Sequence, residues 1–125
     1  MITQMFRKIL QILALVTLVG TLSACSGTES DNTVNPEGAV IIDVRTPQEF
    51  SSGHLVGSVN IDINAADFDD NITTLDPTAK YLIYCRSGNR SAQAIERMRG
   101  LGFTDMIDLG SIESAATATG VEVTR

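Results

Sequence analysis

The feature that most constrains the fold is a set of short, continuous apolar runs separated by segments with helical spacing. The runs AVIIDV (39–44) and KYLIYC (80–85) are rich in β-branched and aromatic residues. Such runs are typical of parallel strands that are covered on both faces. Strands that alternate with helices form a parallel sheet flanked by helices. The sequence therefore predicts an α/β fold with a central parallel sheet and helices on both faces.

The other predicted elements follow the same alternation. Thr46-Pro47-Gln48-Glu49 gives a helix start, with a hydroxyl cap, a proline in the first turn and a glutamate three residues after the cap. This short helix is expected to end at Gly53-His54. Further strands are predicted over 58–62, 104–110 and 121–123, and further helices over 91–100 and 111–120. Residues 64–75 suit a helix or irregular helical turns.

The first 24 residues have the features of a secretory signal. Arg7 and Lys8 precede an uncharged apolar run that ends in Leu22-Ser23-Ala24-Cys25. The run is shorter than the roughly 20 residues of a spanning helix. Its last four residues resemble the lipobox of bacterial lipoproteins, which implies a signal peptide over 1–24 and lipidation of Cys25. An ordinary signal peptide cut nearby, or an uncleaved anchor, is the alternative.

The charge of the remaining chain limits its partners. Removing residues 1–24 leaves seven basic and fifteen acidic residues, a net charge of −8. This acidity argues against nucleic acid or an anionic membrane surface as a partner, so membrane association is expected only through the lipid. Residues 25–38 are small, polar and acidic, as in a flexible lipidated tether, and residues 39–125 form the predicted domain. The expected location is outside the cytoplasm, on a bacterial membrane.

The second cysteine, Cys85, is the one thiol left in the domain if Cys25 carries lipid. A single cysteine in an exported chain suggests a reactive thiol or an intermolecular partner, although an inert buried cysteine is equally compatible with the count. Cys85 ends a predicted strand, and ligands of such sheets bind beyond the carboxyl ends of the strands. This position favours chemistry.

The loop RSGNRS (86–91) follows the cysteine directly. Gly88 and Asn89 both tolerate left-handed backbone angles, so the loop can direct successive N–H groups inward. The N-terminus of the next helix, predicted at Ser91, adds further N–H groups and a positive end. These groups would stabilise a thiolate, the reactive form of cysteine. Arg86 and Arg90 would attract an anionic substrate. The alternative is a strand-ending cysteine followed by a solvated turn.

DVRTPQEFSSGHLVGSVNI together with YCRSGNRSAQAIERMRGLGFTDMIDLG resembles the rhodanese domain of single-domain sulfurtransferases, over about residues 39–125. The resemblance implies a rhodanese-like sheet flanked by helices on both faces. It implies that Cys85 takes a sulfane sulfur from a donor such as thiosulfate, and that a thiol or cyanide removes it from the resulting persulfide. Arg86, Ser87, Gly88, Asn89 and Arg90 are then the loop that surrounds the bound sulfur. No cofactor or metal is expected. The protein is expected to be a monomer.

Two other functions compete with this one. Rhodanese-like phosphatases and arsenate reductases place five residues between the cysteine and an arginine, but here Arg90 arrives one position early. The shorter loop suits a single sulfur atom better than a tetrahedral oxyanion. A non-catalytic module that binds sulfur or docks a partner is the other alternative, which the intact Cys85 and both arginines disfavour.

The remaining motif residues are interpreted mainly as structural. Asp43 and Arg45 end the first strand, and Arg45 is expected to pair with a carboxylate such as Glu49. His54, the single histidine, belongs to the family's Gly-His turn rather than to catalysis. Two departures from the family stand out. The strand and helix that usually precede DVR are replaced by the polar tether, and Gly110-Ser111-Ile112-Glu113 stands where Gly-Gly and tryptophan are common, which leaves donor and acceptor preference open.

Overall fold

The structure is a computed structural model that describes residues 32–125. The predicted signal peptide (1–24), Cys25 and the tether up to residue 31 lie outside the described residues and stay predictions. Within the described range, no helix is both long and apolar enough to cross a membrane.

Residues 32–125 contain ten elements. The strands are β1 (Ala39–Asp43), β2 (His54–Leu55), β3 (Val59–Asn60), β4 (Lys80–Cys85), β5 (Asp105–Ser111) and β6 (Val123–Thr124). The helices are α1 (Pro47–Ser52), α2 (Phe68–Thr73), α3 (Asn89–Gly100) and α4 (Ile112–Thr119). Four strands form one sheet in the order β3-β1-β4-β5, and each neighbouring pair is parallel.

Apolar side chains cover both faces of this sheet. On one face the sheet packs against α2 and α3, through residues such as Phe68, Ile72 and Met98. On the other face Leu82 and Tyr84 pack with Leu55 and with Ala115 of α4. The continuous apolar run of β4 follows from this arrangement, because its successive side chains enter the two cores alternately. The predicted fold class is confirmed.

Helix α1 begins where the sequence predicts. Thr46 is the N-cap, and its hydroxyl accepts a hydrogen bond from the backbone N–H of Glu49 at 3.2 Å. The Glu49 carboxylate accepts in return from the backbone N–H of Thr46 at 3.0 Å. This reciprocal capping box fixes the start of the helix directly after β1.

Several predicted boundaries differ from those in the structure. Residues 64–75 contain both of the expected alternatives: α2 is helical, and ahead of it the Asp62 side chain accepts the backbone N–H of Asn64 at 2.9 Å and holds a turn. The predicted strand over 58–62 pairs only at β3. The last strand does not join the main sheet; β6 pairs antiparallel with β2, where the sequence suggested only a helix end.

The packed chain begins before residue 39. The backbone N–H of Val34 donates to the carbonyl of Ala118 in α4 at 2.7 Å, and the Val34 side chain packs against the core around Leu82. The end of the predicted tether is therefore in contact with the domain, and the described unit starts at Asn32.

Candidate functional site

Strand β4 delivers Cys85 to the carboxyl edge of the sheet. The side chains of Tyr81 to Cys85 are all buried, and Cys85 itself has no exposed surface. It faces the core that contains α2 and α3 and forms no disulfide. The sulfur is therefore covered in this structure.

A loop of only three residues, 86–88, joins Cys85 to α3. Helix α3 begins at Asn89 and not at Ser91, so Asn89 and Arg90 belong to the first helical turn rather than to a curled loop. Gly88 alone has a left-handed backbone, with φ of 95°. This conformation directs the N–H of Gly88 to the Cys85 sulfur, at 2.9 Å. Asn89, which also tolerates a left-handed angle, does not adopt one here.

The surroundings of the sulfur favour its ionised form. Burial by itself raises the pKa of the Cys85 thiol. The backbone N–H groups of Ser91, Ser87 and Gly88, together with the Ser91 side chain, outweigh this effect and lower the pKa of Cys85 below its ordinary value. The predicted mode of thiolate stabilisation, by inward N–H groups at the start of a helix, matches this geometry.

Ser91 and Asp108 were missed by the sequence analysis as parts of the site. The Ser91 side chain is fully buried and lies 3.6 Å from the Cys85 sulfur. Its hydroxyl donates to the carboxylate of Asp108 in β5, at 2.7 Å. A register shift between β4 and β5 at Asp108 and Gly110 accompanies this contact. Nothing in the sequence signals that shift, because it is a β-bulge of the folded sheet.

The two loop arginines have different surroundings. Arg86 is exposed, and no carboxylate among residues 32–125 lies within ion-pair distance of it. Arg90 forms a bidentate pair with Glu49, with N–O distances of 2.7 and 2.8 Å. This pair joins the first turns of α1 and α3 beside the cysteine. Only Arg86 is therefore available to an incoming anion in this structure.

Arg45 pairs with a carboxylate, as predicted, but the partner is Asp43 and not the suggested Glu49. Arg45 pairs with Asp43 at 2.7 Å and donates to the carbonyl of Gly53 at 2.6 Å. Both side chains are buried, since the strand end that carries them lies under α1 and β2. Glu49 is held by Arg90 and by the capping box, so it has no capacity left for Arg45.

His54 contacts helix α1. Its ring stacks on Phe50 with a centroid separation of 3.7 Å, and its Nδ1 lies 2.9 Å from the carbonyl oxygen of Phe50. These contacts explain why a histidine follows the helix-ending Gly53. They agree with a structural interpretation of His54.

The pair between Glu49 and Arg90 should make the stability of the domain depend on pH. The hydrogen bonds from Arg90 lower the pKa of Glu49 from 4.5 to about 2. Because the pKa of Glu49 is lowered in the folded protein, the contribution of the ion pair to stability is complete above pH 4.5 and fades as the pH falls toward 2. We expect Glu49→Gln to lower the free energy of unfolding by about 2 kcal/mol at pH 7. The loss is limited to this size because solvent screens the partly exposed pair.

The measurement is urea denaturation of wild type and Glu49→Gln between pH 7 and pH 2. The difference between the two proteins should shrink over the lower half of that range. Glu37→Gln is the matched control, because Glu37 is an exposed glutamate outside the site. A Glu49→Gln difference that stays constant down to pH 2 would contradict the role of the ion pair.

A groove lies beside the cysteine site rather than over it. It has a volume of about 660 Å³ and is bounded by α4, residues 32–34 and the end of β5, including Asp108. Cys85 does not line it.

Ser111, in the segment that departs from the usual Gly-Gly, caps α4 by accepting the N–H of Ser114 at 3.1 Å. Within residues 32–125, no group of three His, Cys, Asp or Glu side chains is placed to hold a metal ion.

Comparison with known proteins identifies the family. The sequence matches the Rhodanese-like domain family over residues 27–115. The chain belongs to the rhodanese-like domain family. The match starts before residue 39, as does the packed part of this rhodanese-like domain.

Its relatives include bacterial sulfurtransferases. It is 31% identical to the thiosulfate sulfurtransferase GlpE of Pseudomonas fluorescens over 97 residues, which cover 76% of this chain and 86% of that protein. It is 41% identical to GlpE of Pseudomonas putida strain F1 over 71 residues, 56% of this chain. That alignment spans only 62% of the P. putida protein, less than two thirds of its length.

Solved structures share the fold. A rhodanese with anions from E. coli superposes with a TM-score of 0.59 at 23% identity, covering 70% of this chain and 98% of that one. A rhodanese-related protein from Thermoplasma volcanium gives a TM-score of 0.59 at 27% identity, covering 74% and 96% of the two chains. The central parallel sheet flanked by helices is therefore the rhodanese fold.

Proposed function

We propose that this rhodanese-like domain is a sulfurtransferase in which Cys85 carries the transferred sulfur. The observation that carries the proposal is the Cys85 sulfur at the carboxyl edge of the parallel sheet, with the Gly88 N–H at 2.9 Å and a lowered pKa. Relatives named thiosulfate sulfurtransferase support thiosulfate as a donor. A thiol or cyanide is the proposed acceptor.

The proposed reaction has two displacement steps. The Cys85 thiolate attacks the outer sulfur of thiosulfate, a new S–S bond forms on Cys85, and sulfite leaves with the electron pair of the broken bond. A thiolate or cyanide then attacks the outer sulfur of the persulfide, and the electron pair returns to Sγ of Cys85. A thiolate nucleophile needs no separate general base, so His54 has no part in these steps.

Access to the sulfur requires a movement of the loop. Cys85 has no exposed surface, whereas Arg86 and Ser87 are exposed and Gly88 is partly exposed. Residues 86–88 are therefore the segment that can move away without breaking the core. We infer that a donor enters at this loop and that the Arg86 guanidinium is the first charge it meets.

The surroundings of Arg90 argue against an oxyanion-processing enzyme. The Arg90 guanidinium donates to both oxygens of Glu49, and the next residue, Ser91, is buried and uncharged. Neither position offers a free cation to three oxygens of a phosphate or arsenate. We propose a site that serves a single transferred sulfur.

A thiosulfate–cyanide assay beside a phosphatase assay tests the proposed function. We expect thiocyanate formation and no release of phosphate. A persulfide that forms on Cys85 without turnover would instead indicate a sulfur-binding module. Phosphate release without thiocyanate would indicate an oxyanion enzyme, and either result would overturn the proposal.

The unequal surroundings of the two arginines lead to a test of donor binding. Arg86→Gln should lower kcat/KM for thiosulfate by about fivefold to tenfold, because one exposed charge acts on a dianion in a mostly aqueous setting. A neutral sulfur donor should be affected less than twofold. Arg90→Gln should lower the rates with both donors equally, because it breaks the pair with Glu49 rather than a donor contact. Steady-state assays at low and high salt measure these effects.

The control for the arginine test is Arg99→Gln. Arg99 is an exposed residue in the last turn of α3, paired with Glu96, and its replacement should leave both rates unchanged. Raising the ionic strength should reduce thiosulfate use by wild type but not by Arg86→Gln. If Arg86→Gln loses as much activity with a neutral donor as with thiosulfate, Arg86 is not a donor-binding residue.

We also propose that the domain is held at a membrane by lipid on Cys25, which lies outside the described residues. The support is the sequence Leu22-Ser23-Ala24-Cys25 after an apolar run. Wild type should partition into a detergent phase and carry a diacylglyceryl group on Cys25, measured by mass spectrometry. Cys25→Ala should block processing or release the protein. Unchanged processing and partitioning of that variant would refute the anchor.

A further inference from the structure

A buried hydroxyl in the site has no task in the two displacement steps. Ser91 has no exposed surface, and its Oγ has three polar neighbours. The Asp108 Oδ1 lies at 2.7 Å, the carbonyl oxygen of Gly88 at 3.0 Å and the Cys85 sulfur at 3.6 Å. A fully buried hydroxyl between a nucleophilic sulfur and a carboxylate invites the question of where its single hydrogen points.

The three neighbours compete for that hydrogen. A serine hydroxyl has one donor hydrogen and two acceptor lone pairs. Both oxygen neighbours only accept, and a hydrogen bond to an ionised carboxylate is stronger than one to a carbonyl. With a protonated thiol, the hydrogen therefore points to Asp108, and the lone pairs of Ser91 accept the S–H of Cys85. With a thiolate, a lone pair would face a negative sulfur, so the hydroxyl gains by turning its hydrogen to Sγ.

We propose that Ser91 is a positioning residue whose hydroxyl hydrogen alternates between Asp108 and the Cys85 sulfur, and that Asp108 sets how readily it turns to the sulfur. This inference rests on the proposed function for the reaction that it serves. Its geometric basis is the β-bulge at Asp108, which brings a strand carboxylate against the first turn of α3.

The alternation fits the charge changes of the proposed steps. The Cys85 sulfur is negative before the donor is attacked and again when the acceptor removes the outer sulfur. In the persulfide between these events, the negative charge lies on the outer sulfur. The Ser91 hydrogen can thus stabilise Sγ as nucleophile and as leaving group, and return to Asp108 in between. No proton is gained or lost by Ser91 in the cycle.

Asp108 keeps a second partner throughout. Its Oδ1 also accepts the backbone N–H of Gly110 at 2.9 Å, so it stays partly satisfied when the Ser91 hydrogen turns away. An asparagine at this position would keep an oxygen acceptor for both donors but would remove the charge. Asp108→Asn is therefore a conservative variant that weakens the hold on Ser91 without opening a cavity.

Other charged groups near the sulfur must be accounted for in a titration. Arg90 of α3 is close enough to interact electrostatically with Cys85, and it also interacts with Glu49 of α1 and with Asp62 after β3. Arg86 is adjacent in sequence. Within residues 32–125, none of these groups forms a hydrogen bond with the Ser91 side chain. Asp62→Asn is thus a matched control, because it removes a carboxylate that acts on the Cys85 site only through space.

The experiment measures the pH dependence of Cys85 alkylation by iodoacetamide in the full-length protein. Mass spectrometry of the peptide bearing Cys85 distinguishes this thiol from Cys25. Ser91→Ala should raise the apparent pKa of Cys85 by about one unit, since the thiolate loses a hydrogen-bond donor. Asp108→Asn should lower it by about half a unit. In the double variant Ser91→Ala with Asp108→Asn, the lowering of the Cys85 pKa by Asp108→Asn should largely disappear, because no Ser91 hydroxyl remains to turn toward the sulfur.

Three outcomes would overturn the proposal. One is an unchanged pKa in Ser91→Ala, and another is an Asp108→Asn effect that is as large without Ser91 as with it. If Ser91→Ala does not fold, the comparison of Asp108→Asn with Asp62→Asn decides, and equal shifts would overturn it. Because alkylation does not depend on sulfur transfer, the proposed function is judged separately. Expected pKa shifts without thiocyanate formation would refute that function but leave the role of Ser91 standing.

Discussion

Cys85→Ala should abolish sulfur transfer, with kcat/KM for thiosulfate falling by roughly a thousandfold or more, the scale seen when a covalent nucleophile is removed. No other residue can take over, because Cys25 is the one other cysteine of the chain and lies in the segment preceding the domain. Mass spectrometry after thiosulfate treatment should show one added sulfur on the wild-type peptide bearing Cys85. Cyanide or a small thiol should remove it, since the domain has no second thiol to resolve a persulfide internally.

The variant should remain folded but at some loss of stability. Cys85 lies at a strand end, but its side chain is fully buried in the core with α2 and α3. Removing its sulfur should lower the free energy of unfolding by about 1 kcal/mol, through the lost burial and the small cavity. Cys85→Ser is the matched control, because it keeps a side chain of similar size and a partner for the Gly88 N–H.

Loss of activity in both variants, with cooperative unfolding preserved, would assign the chemistry to Cys85. Thiocyanate formation that persists in Cys85→Ala would contradict the persulfide mechanism. An added sulfur on another peptide of the wild-type protein would contradict it as well. The family assignment would survive either result, since it rests on the fold and the sequence match.

The sequence was informative about the fold because its strongest signals are local. Continuous apolar runs identify β1 and β4, and Thr46 with Glu49 identifies the start of α1 through a capping box that the structure contains. Pairing of short strands depends instead on contacts between distant segments. The antiparallel pair of β2 and β6 joins His54 to Thr124 and could not be predicted from either two-residue stretch.

The site shows the same division. The position of Cys85 at a strand end and the need for glycine at position 88 follow from the local sequence, and both occur. The choice of ionic partners does not follow, because the charged residues near DVR and the loop can be paired in several ways. The expected pairing of Arg45 with Glu49 gave way to two pairs, Arg45 with Asp43 and Arg90 with Glu49. The approach of Asp108 to Ser91 depends on the β-bulge in β5 and was likewise unpredictable.

The pair of Asp43 and Arg45 should be the most sensitive electrostatic contact of the described domain. The Asp43 carboxylate has no exposed surface, and it accepts hydrogen bonds from the Arg45 Nε and from a terminal nitrogen of its guanidinium, the latter at 2.7 Å. The Arg45 guanidinium also lies 5.7 Å from the ring centroid of Tyr84. Asp43→Ala should lower the free energy of unfolding by roughly 3–5 kcal/mol, because it leaves a buried positive charge without its partner. Urea denaturation at pH 7 measures this loss.

Two comparisons separate this effect from a general sensitivity to lost carboxylates. Asp69 and Arg97 form an ion pair on the surface, with side chains 50% and 40% exposed, so Asp69→Ala should cost less than about 1 kcal/mol. The double variant Asp43→Leu with Arg45→Met should lose less stability than Asp43→Ala, since it removes both charges and fills the space with apolar groups. A loss in Asp43→Ala no larger than in Asp69→Ala would mean that water reaches Arg45. The strand end beneath the cysteine loop would then be held by apolar packing alone.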